Sequence, residues 1–543
     1  MAAGLLAAAV AVGIGQLVAG IVAPDGSPVV AVGEASIGLT PRPVHDFAIS
    51  TFGTHDKEVL VTGILVVLAI FAAIVGVLAM RRLWYGMAGL GLFAALGLSA
   101  ALTRPTASAG YALPTLAGAA VAVIALRLLV RAATPAAEVP PGAAEPADER
   151  ESLPDWSAPL DEEETPAAAS PSRPRGAVAP RPAYSPAARP RRSFLATGAT
   201  VAGTAAVAGL AGRLLAERTS VTQAQASLRV PRPVHPAPRL PAGYNLPVPG
   251  ISSFITPNGS FYRVDTAIVL PEVPPSSWQL RVHGLVAREI TINFDQLIRR
   301  PLTADYITLT CVSNPVGGPY VGNALWVGAS VASLLREAGV RAGADQLLCT
   351  SADGFTSGTP LQTVMDGRDA MLAVAMNGTA LPVEHGFPVR MVVPGLYGYV
   401  SACKWITDIE VTTYAANTAY WANQGWAAQA PIKTESRIDV PADGASLKAG
   451  RTAVAGVAWA QHKGIDAVEV RVNSGPWNEA RLSAVPDIDC WRQWVWYWDA
   501  TPGQHQIEAR ATDATGYTQT SLQEPPPPNG ASGYPNASVT VSS

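Results

Sequence analysis

A chain of 543 residues has room for several domains, and 49% hydrophobic against 15% charged residues makes it more apolar than a soluble protein, which carries about 25% charge. Its 38 Lys and Arg against 41 Asp and Glu give a net charge of −3, which excludes a strongly basic nucleic-acid binder. Four cysteines, at 311, 349, 403 and 490, form no CxxC pair; zinc ribbons, iron–sulfur runs, CxxCH haem attachment and a disulfide-rich scaffold are excluded with them.

The apolar excess sits in the first quarter. Uncharged runs over 2–23, 59–80, 83–103 and 105–126 each hold about the 20 residues that cross a bilayer. Pro114 moves the start of the fourth helix to its own neighbourhood, so that it runs towards Val130. Four spans therefore occupy 1–131 as a helical membrane anchor. Arg81 and Arg82 in one turn, with Arg127 and Arg131 after the fourth span, place those ends in the cytoplasm and loop 24–58 outside; Arg104 falls on the outer side, against the trend. None of the seven histidines lies in a span, which speaks against a bis-histidine haem in the bundle.

Residues 132–190 are Ala/Pro-rich, acidic first and then basic, too polar to bury a core, and read as a disordered cytoplasmic linker. The linker runs into Arg191-Arg192-Ser193-Phe194-Leu195 and a weakly apolar stretch to Gly212. That pattern resembles a twin-arginine export signal and makes 191–216 a fifth membrane segment. Such a signal moves folded proteins, so a domain assembled in the cytoplasm should follow. Residues 217–246 are a Pro-rich tether.

From 247 to 428 short strands (278–282, 289–292, 306–310, 389–393 and 406–412) mix with one clear helix at 329–338, an α+β pattern. From 429 to 525 apolar residues alternate in the strand manner over 454–459, 467–472, 491–498 and 506–511, as in an immunoglobulin-like sandwich. Trp494, Trp496 and Trp498 share one strand face, as sandwich core or as a subunit interface. Residues 526–543 read as a loose tail.

Two stretches carry chemistry. In the first, Cys311 leaves a strand end for a glycine-rich run with Asn314, Gly317, Gly318, Gly322 and Asn323 before Trp326. Glycines let backbone N–H groups approach an anion, and a thiolate there can ligate a soft metal, though a lone cysteine is more readily plain core. In the second, His385, Arg390 and Lys404 are spaced by a strand and a glycine turn. A planar guanidinium fork and a point-charge ammonium together suit a phosphate; surface charge around a turn is the simpler alternative.

In order, the chain shows TL-x-C-x-x-N, GNA-x-W before a helix, HG-x-P-x-R, a glycine turn and KW before a strand. Together these resemble the sulfite-oxidase family of molybdenum enzymes over roughly 247–525. The resemblance implies an α+β molybdopterin domain followed by an Ig-like dimerisation domain, and one molybdenum on a pyranopterin dithiolene. It makes Cys311 the thiolate ligand. His385, Arg390 and Lys404 would contact the pterin phosphate or line the anion pocket, with Asn314, Gly317, Gly318, Gly322 and Asn323 holding the cofactor. Where the family has F-x-R-N-H, this chain has Phe261-Tyr262-Arg263-Val264-Asp265, so Arg263 stands for the arginine and Asp265 replaces the histidine. The arginine after the C-x-x-N motif is Pro315 here, and the active-site tyrosine position falls on Trp426. One cation and one phenol are thus gone, so a small oxyanion is in competition with a sulfoxide or N-oxide as the substrate, reduced on the same fold. A cofactor-free binding or signalling protein is the reading from a different class. The implied partners are the membrane, an unidentified electron-transfer partner and a second copy of the chain through the Ig-like domain.

Overall fold

The computed structural model describes residues 1–22, 26–39, 56–103, 109–134, 188–218 and 221–543. Most of the proposed linker (135–187), His45, His55 and Arg104 lie outside the described residues. The first helices are α1 (Ala2–Val22), α2 (Pro28–Leu39), α3 (Asp56–Arg81), α4 (Leu83–Leu102), α5 (Ala112–Ala133) and α6 (Ala188–Arg218). Among the described residues five helical segments are long and apolar enough to cross a membrane: Ala2–Val22, Val59–Arg81, Leu83–Leu102, Ala109–Ala133 and Arg192–Leu215. They coincide with the five apolar runs, because uninterrupted Ala, Leu and Val offer no competing turn. Helix α2 was not foreseen and occupies part of the segment read as an outer loop.

Small residues let these helices meet backbone to backbone. A Cβ on Gly13, Gly20 or Gly118 would stand 2.5 Å from the carbonyl oxygens of Ala205, Gly212 and Ala11 respectively. That packing seats α1 against both α5 and α6. Val66, Val67, Ile70 and Ile74 of α3 are exposed on the outside, an arrangement suited to an apolar surrounding.

The β-rich half contains β1 (Gln279–Gly284), β2 (Ile290–Asn293), β3 (Leu302–Thr310), β4 (Val321–Ser330), β5 (Gln346–Ser351), β6 (Thr356–Pro360), β7 (Met371–Met376), β8 (Thr379–Ala380), β9 (Arg390–Val392) and β10 (Ile406–Thr412). Strands β2-β1-β10-β5-β6 make one mixed sheet, with β1 and β10 parallel. Strands β3-β4-β7-β8 make a second, to which β9 adds by pairing with β7. The helix Val331–Ala338 buries Val331, Leu334, Leu335 and Ala338; Ser330 caps its start and Gly339, at φ +72°, ends it.

Strand β4 corrects the sequence reading. Val321–Ser330 is not a loop leading to a helix but a strand buried on both faces, paired with β3 and β7. Its glycines and alanines suppress a period-two signal, and burial on both faces removes what remains.

The remaining strands are β11 (Glu435–Val440), β12 (Ser446–Lys448), β13 (Gly450–Trp459), β14 (Ile465–Val472), β15 (Asn478–Glu479), β16 (Arg481–Leu482), β17 (Arg492–Ala500), β18 (Gly503–Asp513) and β19 (Asn536–Ser542). They form a four-stranded sheet, β11-β13-β17-β16, and a five-stranded one, β12-β19-β18-β14-β15. Val454, Val468, Trp494, Ile507 and Val539 meet in a core between them, with Trp496 and Trp498 packed half-buried against it. The expected loose tail is therefore a strand: β19 pairs with β18 and β12, and Ala537, Val539 and Val541 face inward. The proline run before it masks an alternation that was present in the sequence.

The largest core crosses from the first sheets into this region, joining Leu280 and Ile409 with Val457, Trp459 and Trp491. Carboxyl groups are buried along the same junction. Glu435 is 3% exposed, and burial pushes its carboxyl up to about 8. Asp305, Asp487 and Asp489 bring carboxylate oxygens within 4.8 Å of one another. Burial, then the neighbouring Asp487, pushes Asp305 up to about 7. Such a group holds a proton in the folded state that the unfolded chain has released. Its stabilisation is complete below the unfolded pKa and is lost as pH rises through the folded one. Buried His385, lowered to about 4, acts in the opposite sense only below the unfolded histidine value. Urea unfolding of the β-rich half is therefore expected to show falling stability between about pH 6.5 and 8, Glu435 alone contributing about 2 kcal/mol. Glu435→Gln should flatten that slope; an unchanged slope would contradict the assignment.

Candidate active site

Strand β3 ends at Thr310, so Cys311 is held at the rim of the second sheet, with 8% of its surface exposed. The loop behind it closes on itself: Cys311 N–H donates to Tyr320 O (2.9 Å), Asn314 N–H to Cys311 O (3.1 Å), and Tyr320 N–H to Asn314 Oδ1 (2.8 Å). Ser313 N–H reaches the Cys311 sulfur at 3.4 Å. Burial pushes the Cys311 thiol up while that N–H stabilises the thiolate. Gly317 takes φ +71°, and a Cβ on Gly318 would come 2.6 Å from Asn314 Oδ1. These two glycines are required by the loop.

Gly322 and Asn323 are placed within the second sheet. Both are in β4, opposite Leu309 and Thr308. A Cβ at Gly322 would press into the Phe261 ring at 2.8 Å. The Asn323 amide is buried, accepting from Thr308 Oγ1 (3.0 Å) and donating to Phe254 O (2.9 Å). Their visible work is to seat the 254–261 segment against the strand that carries Cys311.

His385, Arg390 and Lys404 converge. His385 Nε2 meets the Asn258 carbonyl at 3.0 Å, which makes Nε2 the protonated nitrogen, and burial lowers its pKa to about 4. Arg390 lies 5.0 Å above the Trp326 ring and donates to the carbonyls of His385 (3.1 Å) and Ala402 (3.3 Å). Burial lowers its pKa to about 10. Lys404 Nζ pairs with Asp265 at 2.7 Å and reaches Glu384 O at 3.0 Å; burial lowers it to about 8, against the pull of Asp265. Arg263 Nε binds the same Asp265 oxygen at 3.1 Å, with 43% of the Arg263 side chain exposed. Asp265 therefore sets one carboxylate against two of the three cations here.

Tyr262 was missed by the sequence reading. Its phenol is pushed well above its usual value by burial first and then by Cys311, and is drawn back by Arg390. Its hydroxyl stands 3.7 Å from where a Gly398 Cβ would be, beside Thr310 O. The available signal was its position within the Phe261–Asp265 run. Trp426 packs on Tyr399 (ring centroids 6.1 Å apart) and Trp421 (6.3 Å), on a cavity of about 230 Å³ whose walls include none of Cys311, His385, Arg390 and Lys404. The short helix Gly398–Ser401 separates it from Tyr262 and Thr310. The other cysteines, Cys349, Cys403 and Cys490, are buried free thiols in the core.

Two buried donors here have no hydrogen-bond partner among the described residues: Asn314 Nδ2 and Arg390 Nε. Together with a strand-end sulfur and a buried guanidinium and ammonium, they suit an acceptor-rich, anionic, thiolate-ligated group.

Residues 267–421 match the family described as oxidoreductase molybdopterin binding domain. Sulfite oxidase of Gallus gallus is 29% identical over 296 residues, which cover 46% of this chain and 63% of that protein. An uncharacterized oxidoreductase, YuiH, of Bacillus subtilis is 30% identical over 151 residues, 28% of this chain and 73% of that protein. The sulfane dehydrogenase SoxCD of Paracoccus pantotrophus aligns at TM-score 0.45 and 24% identity over 50% of this chain and 76% of that one. The chain thus spans between half and two thirds of the vertebrate sulfite oxidases it matches. On these matches the chain belongs to the sulfite-oxidase family of oxidoreductases, whose cofactor is molybdenum-molybdopterin.

Proposed function

We propose that this protein is a membrane-anchored oxidoreductase that transfers an oxygen atom at an extracytoplasmic molybdopterin site. The observation that carries the reading is the Cys311 sulfur at the end of β3, supported by two buried donors with no partner among the described residues, Asn314 Nδ2 in the same loop and Arg390 Nε at the start of β9. When bound, the cofactor supplies the two-electron change between Mo(VI) and Mo(IV) that accompanies oxygen transfer. Cys311 would hold the metal, while His385, Arg390 and Lys404 would bind the anionic end of the pterin. Neutral His385 adds no charge and, with its one N–H held by Asn258 O, fixes the turn; Arg390 presents its spare Nε from a rigid seat on Trp326.

The five apolar helices support an anchor, and Arg191-Arg192 ahead of the fifth supports twin-arginine export of a domain loaded in the cytoplasm. The two-sheet region after Glu435 is read as Ig-like and as the homodimer surface. Arg263 and Trp426 are read as facing the substrate. An external electron-transfer partner completes the cycle.

One observation favours a second reading, reduction of a sulfoxide or N-oxide. Asp265 occupies Lys404 and Arg263, which lowers the positive charge open to an oxyanion. Metal analysis with a substrate panel tests both. Molybdenum near one per chain is expected, with turnover on sulfite or on S- and N-oxides using artificial electron partners. Exported protein without molybdenum would defeat the enzyme reading.

A further inference from the structure

The cavity beside Trp426 has a chemistry of its own. Its lining carries no Asp, Glu, Lys, Arg or His, and its only ionisable groups are the phenols of Tyr399 and Tyr414. Gln346, the first residue of β5, lines it and is fully buried, yet neither its Nε2 nor its Oε1 has a hydrogen-bond partner among the described residues. The Tyr414 hydroxyl, on the same lining, is also buried and without one. Leaving a buried polar atom unanswered costs about 1–3 kcal/mol, so three on one wall are kept only where something answers them.

Two other polar groups on that wall are committed. Tyr399 OH donates to Ala427 O (2.5 Å), and Asn417 Nδ2 donates to Glu410 Oε1 (3.2 Å) and Thr412 Oγ1 (2.9 Å). Gly358 leaves the space that Gln346 faces; a Cβ there would stand 2.9 Å from Nε2. The flat walls are aromatic, with Trp421 and Trp426 edge to face. The unmet demand is therefore one carboxamide and one phenol in an uncharged, aromatic enclosure.

A carboxamide is best answered by another group with a donor and an acceptor side by side: N–H to Gln346 Oε1, C=O from Gln346 Nε2. We propose that this cavity is a binding site for an uncharged organic molecule bearing a carboxamide on a flat apolar body. An inorganic oxyanion finds no cation there. The site is set one short helix from Cys311, since Gly398 abuts Thr310 and Tyr262 while Tyr399, the next residue, forms cavity wall. A molecule held here is thus a neighbour of the reacting centre.

Full-length protein, as purified in detergent, is titrated with benzamide, and with benzoate and toluene as charged and non-polar controls. Tryptophan fluorescence is expected to change saturably with benzamide only, and benzamide should raise the unfolding midpoint. Gln346→Leu, similar in size and without polar atoms, should raise the midpoint of the ligand-free protein and weaken benzamide roughly tenfold or more. Tyr414→Phe should weaken it by a smaller factor and supplies the test if the first variant does not fold. No benzamide binding by the unaltered chain, equal binding of benzoate, or unchanged affinity in both variants would overturn the site. Binding is read without turnover, so it succeeds or fails independently of the molybdenum content.

Discussion

Cys311→Ser removes turnover, with an expected fall of roughly a thousandfold, equivalent to about 4 kcal/mol of barrier. The fold should survive, because the Cys311 sulfur accepts a hydrogen bond from Ser313 N–H, and a serine oxygen can accept it too. The loop geometry rests instead on backbone groups and Asn314 Oδ1. The change is thus chemical rather than architectural: a soft, polarisable sulfur is replaced by a harder oxygen at the metal. Steady-state rates with artificial electron partners check the first part, and loss of the sulfur-to-metal absorption band checks the second. Full activity in the variant would remove Cys311 from the metal.

The second large effect is on cofactor retention. Arg390→Lys keeps a positive charge but not the planar fork. In the folded chain that fork is divided between two structural carbonyls, of His385 and Ala402, and a spare Nε. A lysine cannot hold the His385 turn and reach a phosphate together. Losing one charge-assisted hydrogen bond, worth about 1.5–3 kcal/mol, should lower cofactor affinity roughly tenfold to a hundredfold. Molybdenum and pterin per chain after extended dialysis measure this directly. Retention equal to that of the unaltered chain would show that Arg390 only buttresses the fold through Trp326.

What the sequence disclosed follows from how local each feature is. Cys311 with its turn, and His385 with Arg390, sit on single strand-and-turn units, so their spacing carries their geometry. The apolar helices are legible for the same reason. Pairings across distant segments are not. Asp265 can be seen to replace a histidine, but that it meets Lys404, 139 residues away and itself held on Glu384 O, is decided by tertiary packing. Tyr262 acquires its meaning only when Gly398 arrives beside it. Strand β4 is hidden because burial on both faces erases alternation, and β19 because a proline run precedes it. The Gln346 cavity is invisible in sequence: a glutamine in a strand is unremarkable until none of its neighbours answers it.

The last strand changes how the assembly of this protein should be pictured. Pro535, at the approach to β19, stands 3.4 Å from the Cβ position of Gly317, and Arg437 donates to Gly318 O at 3.2 Å. The glycine loop after Cys311 is therefore braced by residues made long after it. While the ribosome is still working, Cys311 can be present and its sheet paired, yet its loop lacks its outer wall. The loop that presents Cys311 is thus shared property of two halves of the chain, and a change at the far end of the sequence reaches the candidate site through it.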